Sequence, residues 1–206
     1  MTSFYRYDVT LCQHLEHAMG RWEPDAAGRL RAAALALFAE RGYEQTTVAD
    51  VAARAGLTAR TFFRHFSDKK EVLFGGSDGL RQAMVGALLA APAEVPAMGA
   101  IAAALHAAAT YLGDMREFAR RRREVIAAHP VLRERELSKL EDLSAALAAA
   151  LRRRGIDEPD ARLAAETGLL VFRLAFEQWV AQAEQRSLDA IAQELLERLG
   201  EVAGGR

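Results

Sequence analysis

The segment that most constrains this chain runs from residue 47 to residue 66 and reads TVADVAARAGLTARTFFRHF. Small and aliphatic residues line one side of its first half, and Gly56 follows where a tight turn between steeply crossed helices needs a positive φ. Thr47 and Asp50 form a capping-box pattern, and Thr58 is placed to cap a second helix. The segment therefore predicts a helix-turn-helix, whose second helix is built to enter a DNA major groove.

The positive charge of this region is local. The whole chain has 27 Lys and Arg residues against 28 Asp and Glu residues, so nothing global draws it to nucleic acid. Residues 54–70 hold five cations and one acid, Asp68, which leaves +4. The cations are Arg54, Arg60, Arg64, Lys69 and Lys70. This cluster suits a DNA backbone, although an ordinary helical hairpin with solvated arginines would show the same pattern.

Helical patterning continues through most of the chain. Apolar residues make up 51% of it and only 5 prolines interrupt it, which argues against an all-β fold. We expect an all-α protein with a disordered arm at 1–20, a three-helix helix-turn-helix DNA-binding domain at 21–70, and a larger helical domain for effector binding and dimerisation at 71–206. The predicted helices after the glycines near residue 75 are 80–90, 97–112, 114–128, 130–154, 159–184 and 187–202.

Residues 29–73 closely resemble the DNA-binding domain of the tetracycline-repressor (TetR) family of bacterial regulators. The resemblance is carried by AERGY at 39–43, TTV at 46–48, VA at 51–52, AGLT at 55–58, TFFRHF at 61–66, DK at 68–69 and Leu73. It implies a homodimeric transcriptional repressor that binds a palindromic, double-stranded operator. It also implies a small-molecule effector, of unknown identity, bound in the helical body.

The resemblance assigns DNA contacts by position. The residues expected against bases or nearby backbone are Ala59, Arg60, Thr61 and Arg64. Those expected at phosphates are Thr47, Thr58, Phe63, His65 and Lys69. Two residues depart from the family pattern. Phe63 stands where the family often has Tyr, so a hydroxyl-to-phosphate bond is missing, and Arg60 stands where the family often has Gly. We therefore expect Arg60 to contact a guanine through O6 and N7.

The region after the motif gives two conflicting expectations. Ser67 or Asp68 is placed to cap a fourth helix, but Gly75, Gly76 and Gly79 follow, and each mid-helix glycine costs about 1 kcal/mol relative to alanine. Helix propensity alone therefore predicts a break. The TetR resemblance implies one long helix through the same glycines, which would make it a compliant connector between the DNA-binding head and the body.

The last two predicted helices, 159–184 and 187–202, are expected to form the homodimer interface. One stripe of the first consists of Leu169, Phe172, Phe176 and Trp179. A second face consists of Leu163, Leu170, Val171 and Leu174. A helix that is apolar nearly all round must be covered on more than one side, either by a single closed core or by a second copy. A dimer would space two recognition helices about 34 Å apart, or a multiple of that, on a palindrome.

The candidate effector-lining residues in the body are mainly methionines and aromatic residues. They are Met84, Met98, His106, Met115, Phe172, Arg173, Phe176 and Trp179. Any of them could instead belong to the plain core. Arg173 could meet an anionic ligand or pair with Glu177 at i+4, and we favour the pairing.

Several other functions find no support in the sequence. It has no G-x-S-x-G elbow, H-E-x-x-H motif, Walker loop or dinucleotide fingerprint, so we expect neither an enzyme nor a cofactor. Cys12, His14 and His17 have loose spacing for a metal site, and we predict none. The lone cysteine and the lack of a signal peptide suit a cytoplasmic protein. The uncharged stretch 95–113 has a one-sided apolar stripe and is interpreted as a packed soluble helix, not a membrane span. Arginines 120–123 are interpreted as a solvated or interface face.

Three alternatives stay open. The protein could bind DNA without any ligand or act as an activator. It could be a helical interaction module whose head docks only protein. A helical enzyme is disfavoured because no catalytic constellation is present.

Overall fold

The computed structural model describes residues 26–181 and 183–204, so the predicted arm at 1–20 lies outside the described residues, as do Cys12, His14 and His17. The helices, in chain order, are α1 (Ala26–Arg41), α2 (Val48–Arg54), α3 (Ala59–His65), α4 (Ser77–Ala90), α5 (Ala97–Leu112), α6 (Arg116–Ala128), α7 (Pro130–Arg153), α8 (Glu158–Trp179) and α9 (Leu188–Ala203). A 3-10 turn at Glu71–Leu73 lies between α3 and α4. The described residues contain no strand, which confirms the predicted all-α fold.

Helices α1 to α3 form a head around one small core. The face of α1 that carries Leu30 and Phe38 is buried, and Phe62 of α3 is fully buried against it. The core extends beyond the motif through Val72, Leu73 and Phe74. It then reaches Val125 and Ile126 of α6, so the head is packed onto the body and does not hang from a free linker.

The chain between α3 and α4 breaks at the glycines, as helix propensity predicts. The single long helix implied by the TetR resemblance is wrong here. Asp68 caps only the 3-10 turn, where its Oδ1 accepts the N–H groups of Lys70 and Glu71 at 2.9 and 3.1 Å. Gly75 is pressed against the ring of Phe66, because a Cβ at residue 75 would lie 2.6 Å from the Phe66 Cε1 atom. Helix α4 therefore begins only at Ser77.

Helices α4 to α9 form the body. In its core, α5 packs closely against α8 because Gly168 has no side chain. A Cβ at residue 168 would lie only 2.6 Å from the Cγ2 atom of Ile101. The uncharged stretch 95–113 contributes α5 to this core. No helix among residues 26–181 and 183–204 is long and apolar enough to cross a bilayer.

Helix α8 ends at Trp179, five residues before the predicted end at 184. Beyond that end, the carboxylate of Glu184 accepts the backbone N–H groups of Gln185 and Arg186, each at 2.8 Å. It also pairs with the Arg186 guanidinium, which lowers the pKa of Glu184 to about 2. This network folds the chain into a turn before α9 begins.

Candidate DNA-binding surface and effector cavity

The predicted recognition helix is α3, and local hydrogen bonds build both helices of the motif. Thr47 and Asp50 form the predicted capping box: the Thr47 Oγ1 accepts the Asp50 N–H at 3.1 Å, and an Asp50 carboxylate oxygen accepts the Thr47 N–H at 2.9 Å. The Thr47 hydroxyl also donates to this carboxylate at 2.6 Å, and this bond together with that from the Thr47 N–H holds the pKa of Asp50 below its usual value. Thr58 caps α3 by accepting the Thr61 N–H at 3.1 Å. Gly56 joins the two helices with φ of +67°.

Helix α3 buries one side and exposes a cationic and aromatic side. Phe62 is fully buried, whereas Phe63 is 57% exposed. Arg60 and Arg64 lie one turn apart beside Phe63, and both are exposed. Within the described part of the chain, neither arginine has an ion-pair or hydrogen-bond partner. Two guanidinium groups and one ring are therefore offered outward on a helix that its buried face holds in place.

The other predicted DNA contacts are placed less uniformly. Exposed positions are taken by Thr47, Thr58, Ala59 and His65, while Thr61 and Lys69 are half-buried. The Thr58 and Thr61 hydroxyls lie 3.0 Å apart and are hydrogen bonded to each other. Lys69 points inward: its Nζ donates to the Tyr43 carbonyl at 2.7 Å and lies 4.1 Å from the Tyr43 ring centroid. Arg54, counted in the basic cluster, pairs with Glu40 at 2.5 Å.

A cavity of about 720 Å³ opens between the head and the body. Residues of α4 to α8 form most of its wall, and α1 and the connector before α4 close one side through Arg31, Leu73 and Gly76. The size is typical of small-molecule sites, which run from roughly 300 to 1,000 Å³. The wall of this cavity is therefore formed both by the body and by the segment that carries the head.

Four of the eight predicted effector-lining residues meet in this cavity. They are Met115, Phe172, Arg173 and Phe176. The other four lie elsewhere. Met84 is buried in the body core, and Met98 packs against that core. His106 is mostly exposed with its Nδ1 3.0 Å from Asp189 Oδ1, and Trp179 lies at a separate surface hollow beside Arg116. The favoured Arg173–Glu177 pair does not form, because Glu177 lies 3.6 Å from Arg123 instead.

Arg122 connects the cavity to the head, which corrects, for this residue, the interpretation of 120–123 as a solvated or interface face. Its Nε donates to the Leu73 carbonyl at 2.7 Å, and its two terminal nitrogens donate to the Glu136 carboxylate at 3.2 and 2.7 Å. Its guanidinium carbon also lies 4.9 Å from the centroid of the Phe74 ring. Arg120 and Arg121 do face outward, where both pair with Glu117.

An apolar stripe lies along the outer side of α8. Leu163, Leu170 and Leu174 are 68%, 49% and 40% exposed, and their spacing places them on one face. Val171, assigned to this face from the sequence, is buried instead, because it points into the body core. Val202 of α9 is also exposed.

Both halves of the chain match known families of regulators. Residues 30–75 match the family described as bacterial regulatory proteins, tetR family, and residues 95–204 match the MftR C-terminal domain. The second match alone spans more than half of the chain. The chain belongs to the TetR family. The matched family and relatives are regulators of transcription and not enzymes.

Relatives of this TetR-family chain support the assignment at different levels. It is 38% identical to the HTH-type transcriptional regulator TcmR of Streptomyces glaucescens over 84 residues, which are 41% of this chain and 36% of TcmR. The TetR-family regulator PfmR of Thermus thermophilus is 25% identical with a TM-score of 0.51, and the alignment covers 82% of this chain and 95% of PfmR. The SmeT–triclosan complex, of the Stenotrophomonas maltophilia repressor, is 22% identical with a TM-score of 0.60, covering 86% and 90%.

Sequence reasoning missed the part of the cavity that α7 supplies. Leu137, Leu140 and Leu143 line it together with Arg133 and Lys139. The sequence candidates were mainly methionines and aromatic residues, whereas the i, i+3, i+6 spacing of these leucines along one helix was the available signal. For Arg122 no local signal existed, because its partners Leu73 and Glu136 are 49 and 14 residues away.

Proposed function

We propose that this TetR-family protein is a sequence-specific repressor that binds a palindromic operator as a homodimer and leaves it when a small molecule fills the cavity. The observation that carries the proposal is the outer side of α3. Arg60 and Arg64 are exposed and free of intramolecular partners in the described chain, on a helix anchored by the fully buried Phe62. A rigid helix that presents unpaired cations is what major-groove recognition requires.

Each exposed group on the head has a distinct role in this proposal. Arg60 donates two hydrogen bonds to guanine O6 and N7, which is the commonest specific contact of arginine with DNA. Phe63, which lacks the hydroxyl that would bind a phosphate, makes an apolar contact with a thymine methyl or a sugar. The N-terminal ends of α2 and α3, at Thr47 and Thr58, hold phosphates. Lys69 stabilises the turn at Tyr43 and supplies charge only at a distance.

The dimer forms through the outer stripe of α8 together with α9. Three leucines that are 40–68% exposed on one face would bury their side chains against the same face of a second copy. Each fully buried leucine contributes roughly 1.5–3 kcal/mol. The two copies of α3 then meet two half-sites about 34 Å apart, or a multiple of that.

The effector acts through the wall that the head and body share. A ligand in the cavity contacts Leu73 and Gly76 of the connector, and it shifts the position of the heads if it binds one arrangement better than the other. SmeT has been solved in complex with triclosan, which supports a small-molecule role for the body of this fold.

The test is fluorescence anisotropy on labelled DNA from upstream of the protein's own gene, with a scrambled duplex as reference, at about 150 mM salt. Specific complexes typically have Kd values of about 10⁻⁸–10⁻¹¹ M under such conditions. We expect Arg60→Ala to weaken binding by about 1–3 kcal/mol at one base-pair position only. Arg162→Ala, an exposed arginine on α8, is the matched control and should change nothing.

Other outcomes separate the alternatives. If Arg60→Ala weakened DNA binding equally on all sequences, Arg60 would be a phosphate contact and not a base contact. If the protein bound both duplexes equally and weakly, with an affinity that fell steeply as salt rose, it would still be a DNA-binding protein, and its operator would lie elsewhere. No binding to either duplex at low salt would refute the proposal and favour a head that docks protein.

A further inference from the structure

The cavity between head and body has an unbalanced set of charges. Seven cationic side chains line it against four acidic ones, in a chain whose formal net charge is −1. The acids are Asp78, Glu136, Asp142 and Glu177. A concave site with a surplus of three positive charges concentrates field and attracts anions.

Ion pairs between the lining residues neutralise only some of the positive charges in the cavity. Asp78 pairs with Arg81 at 3.3 Å, Glu136 with Arg122 at 2.7 Å, and Glu177 with Arg123 at 3.6 Å. Three further cations have no ion-pair or hydrogen-bond partner within the described residues. They are Arg133, Lys139 and Arg173.

The uncompensated cations lie toward solvent, and the apolar lining lies toward the core. Arg133 and Arg173 are exposed and Lys139 is half-buried. Phe172 and Leu143 line the same cavity and are buried in the body core. The site therefore has a cationic outer part and an apolar inner part.

Helices α7 and α8 hold these two parts in a fixed relation. They pack along their length, and the Ser144 hydroxyl donates to the Glu166 carboxylate at 2.9 Å, which sets their register. Arg133 and Arg173 thus lie on two neighbouring helices that pack against each other, and both residues line the cavity.

We propose that the effector is an amphipathic anion, with a carboxylate or phosphate headgroup at Arg133, Lys139 and Arg173 and an apolar portion against Phe172 and Leu143. This inference rests on the proposed function for its biological role, because it names the class of molecule that fills the regulatory cavity. A cationic ligand would add its charge to an existing surplus of the same sign. A neutral ligand would leave these three cations with Asp142 as the one acid of the lining that is not already in an ion pair within the described residues.

The test uses four ten-carbon probes that differ only in headgroup: decanoate, decyl phosphate, decyltrimethylammonium and 1-decanol. Binding to the full chain is measured by isothermal titration calorimetry below micelle-forming concentrations at about 150 mM salt. We expect the two anions to bind at least about tenfold more tightly than the ammonium or the alcohol, because of charge-assisted hydrogen bonds. A preference between the two anions distinguishes a carboxylate effector from a phosphate.

Variants locate the headgroup. Arg133→Gln and Arg173→Gln should each weaken decanoate binding by about two- to fivefold, the range for a partly exposed charge contact. Arg162→Gln, on α8 but outside the cavity, should bind decanoate like the wild type. Thermal unfolding of each variant, compared with the wild type, shows that the fold is retained.

Three results would overturn the inference. These are binding of the ammonium or alcohol as tight as that of decanoate, equal binding by the cavity variants and Arg162→Gln, and no binding of either anion to folded protein. DNA binding is measured separately, so retained operator binding alongside any of these results would refute the ligand class and leave the regulator intact. Absence of operator binding by the wild-type protein would instead count against the proposed function.

Discussion

Replacing Arg122 with methionine should loosen the junction between the head and the body. The Arg122 guanidinium donates one hydrogen bond to the Leu73 carbonyl and two to the Glu136 carboxylate, and it lies over the Phe74 ring. Leu73 and Phe74 belong to the core of the head, whereas Arg122 and Glu136 belong to α6 and α7. Methionine keeps the apolar stem and removes all of these polar contacts.

The expected cost follows from the burial of the two charges. A hydrogen bond to a charged group contributes about 1.5–3 kcal/mol, and a partly desolvated cation–π contact about 0.5–1 kcal/mol. Loss of one partner of a fully buried pair would cost about 3–5 kcal/mol, but the Arg122 and Glu136 side chains are 16% and 31% exposed and water can screen the remaining carboxylate. We expect a loss of about 2–3 kcal/mol, which for a chain of this size lowers Tm by about 4–12 °C.

Urea and thermal unfolding at one fixed protein concentration measure this cost, because a dimer's Tm depends on concentration. Arg121→Met is the matched control: the same substitution on the same helix breaks an exposed i, i+4 pair with Glu117 and should cost less than about 0.5 kcal/mol. In a double-mutant cycle, Arg122→Met and Glu136→Gln should be non-additive by about 1 kcal/mol or more. If Arg122→Met costs no more than Arg121→Met, or if the two changes are additive, the junction is not held as described.

Three further predictions test the motif and the dimer. Gly56→Ala should destabilise the fold by about 1–2 kcal/mol because φ is +67° there, although a Cβ at this position would meet nothing within 4 Å. Gly86→Ala inside α4, where the surroundings are equally open, should instead stabilise the fold by up to about 1 kcal/mol. Equal effects of the two changes in urea unfolding would contradict the backbone argument. Bonds from Thr47 lower the pKa of Asp50 from 3.8, so its ionised form stabilises the fold. The stability difference between wild type and Asp50→Asn should be present near pH 6 and vanish as the pH falls through that lowered pKa; a difference that persists in acid would show that charge is not its source. Leu170→Glu should convert the dimer to monomers in analytical ultracentrifugation, and an unchanged mass would place the interface elsewhere.

The junction at Arg122 gives a physical route between the two proposed functions of the molecule. The residue lines the cavity and also holds the carbonyl of Leu73 in the connector. Because Arg122 lines the same cavity as the proposed headgroup cations, a ligand there that moves Arg122 would also move the connector, and this would couple ligand binding to the position of the head. The two glycines that follow let the connector turn sharply, which a continuous helix would resist.

The helices and the motif could be predicted because their signals are local. Thr47 caps α2 with Asp50, Thr58 caps α3, and Gly56 takes the positive φ predicted for the turn. Apolar spacing of three and four residues predicted the one-sided packing of α5 and the packed stripe of α8 that contains Leu169 and Phe172. These interactions span four residues or fewer, so the order of residues nearly determines them.

The positions of several charged groups could not be predicted in this way. Four consecutive arginines, 120–123, look alike in sequence, yet within the described residues Arg122 is the one that hydrogen bonds to the connector, because the register of α6 against α7 turns it toward Glu136. Lys69 turns inward because the Tyr43 carbonyl lies within its reach. Arg173 loses its expected neighbour because Glu177 lies nearer to Arg123 on another helix.

The sequence by itself therefore determined the all-α class and the helix-turn-helix, since both follow from caps, turns and short-range periodicity, and it indicated the family through the resemblance of residues 29–73. Only the tertiary structure decided which cations remain uncompensated, where the cavity lies and how it reaches the head. Those features depend on contacts between residues tens of positions apart, whose distances are set by helix packing and not by spacing along the chain.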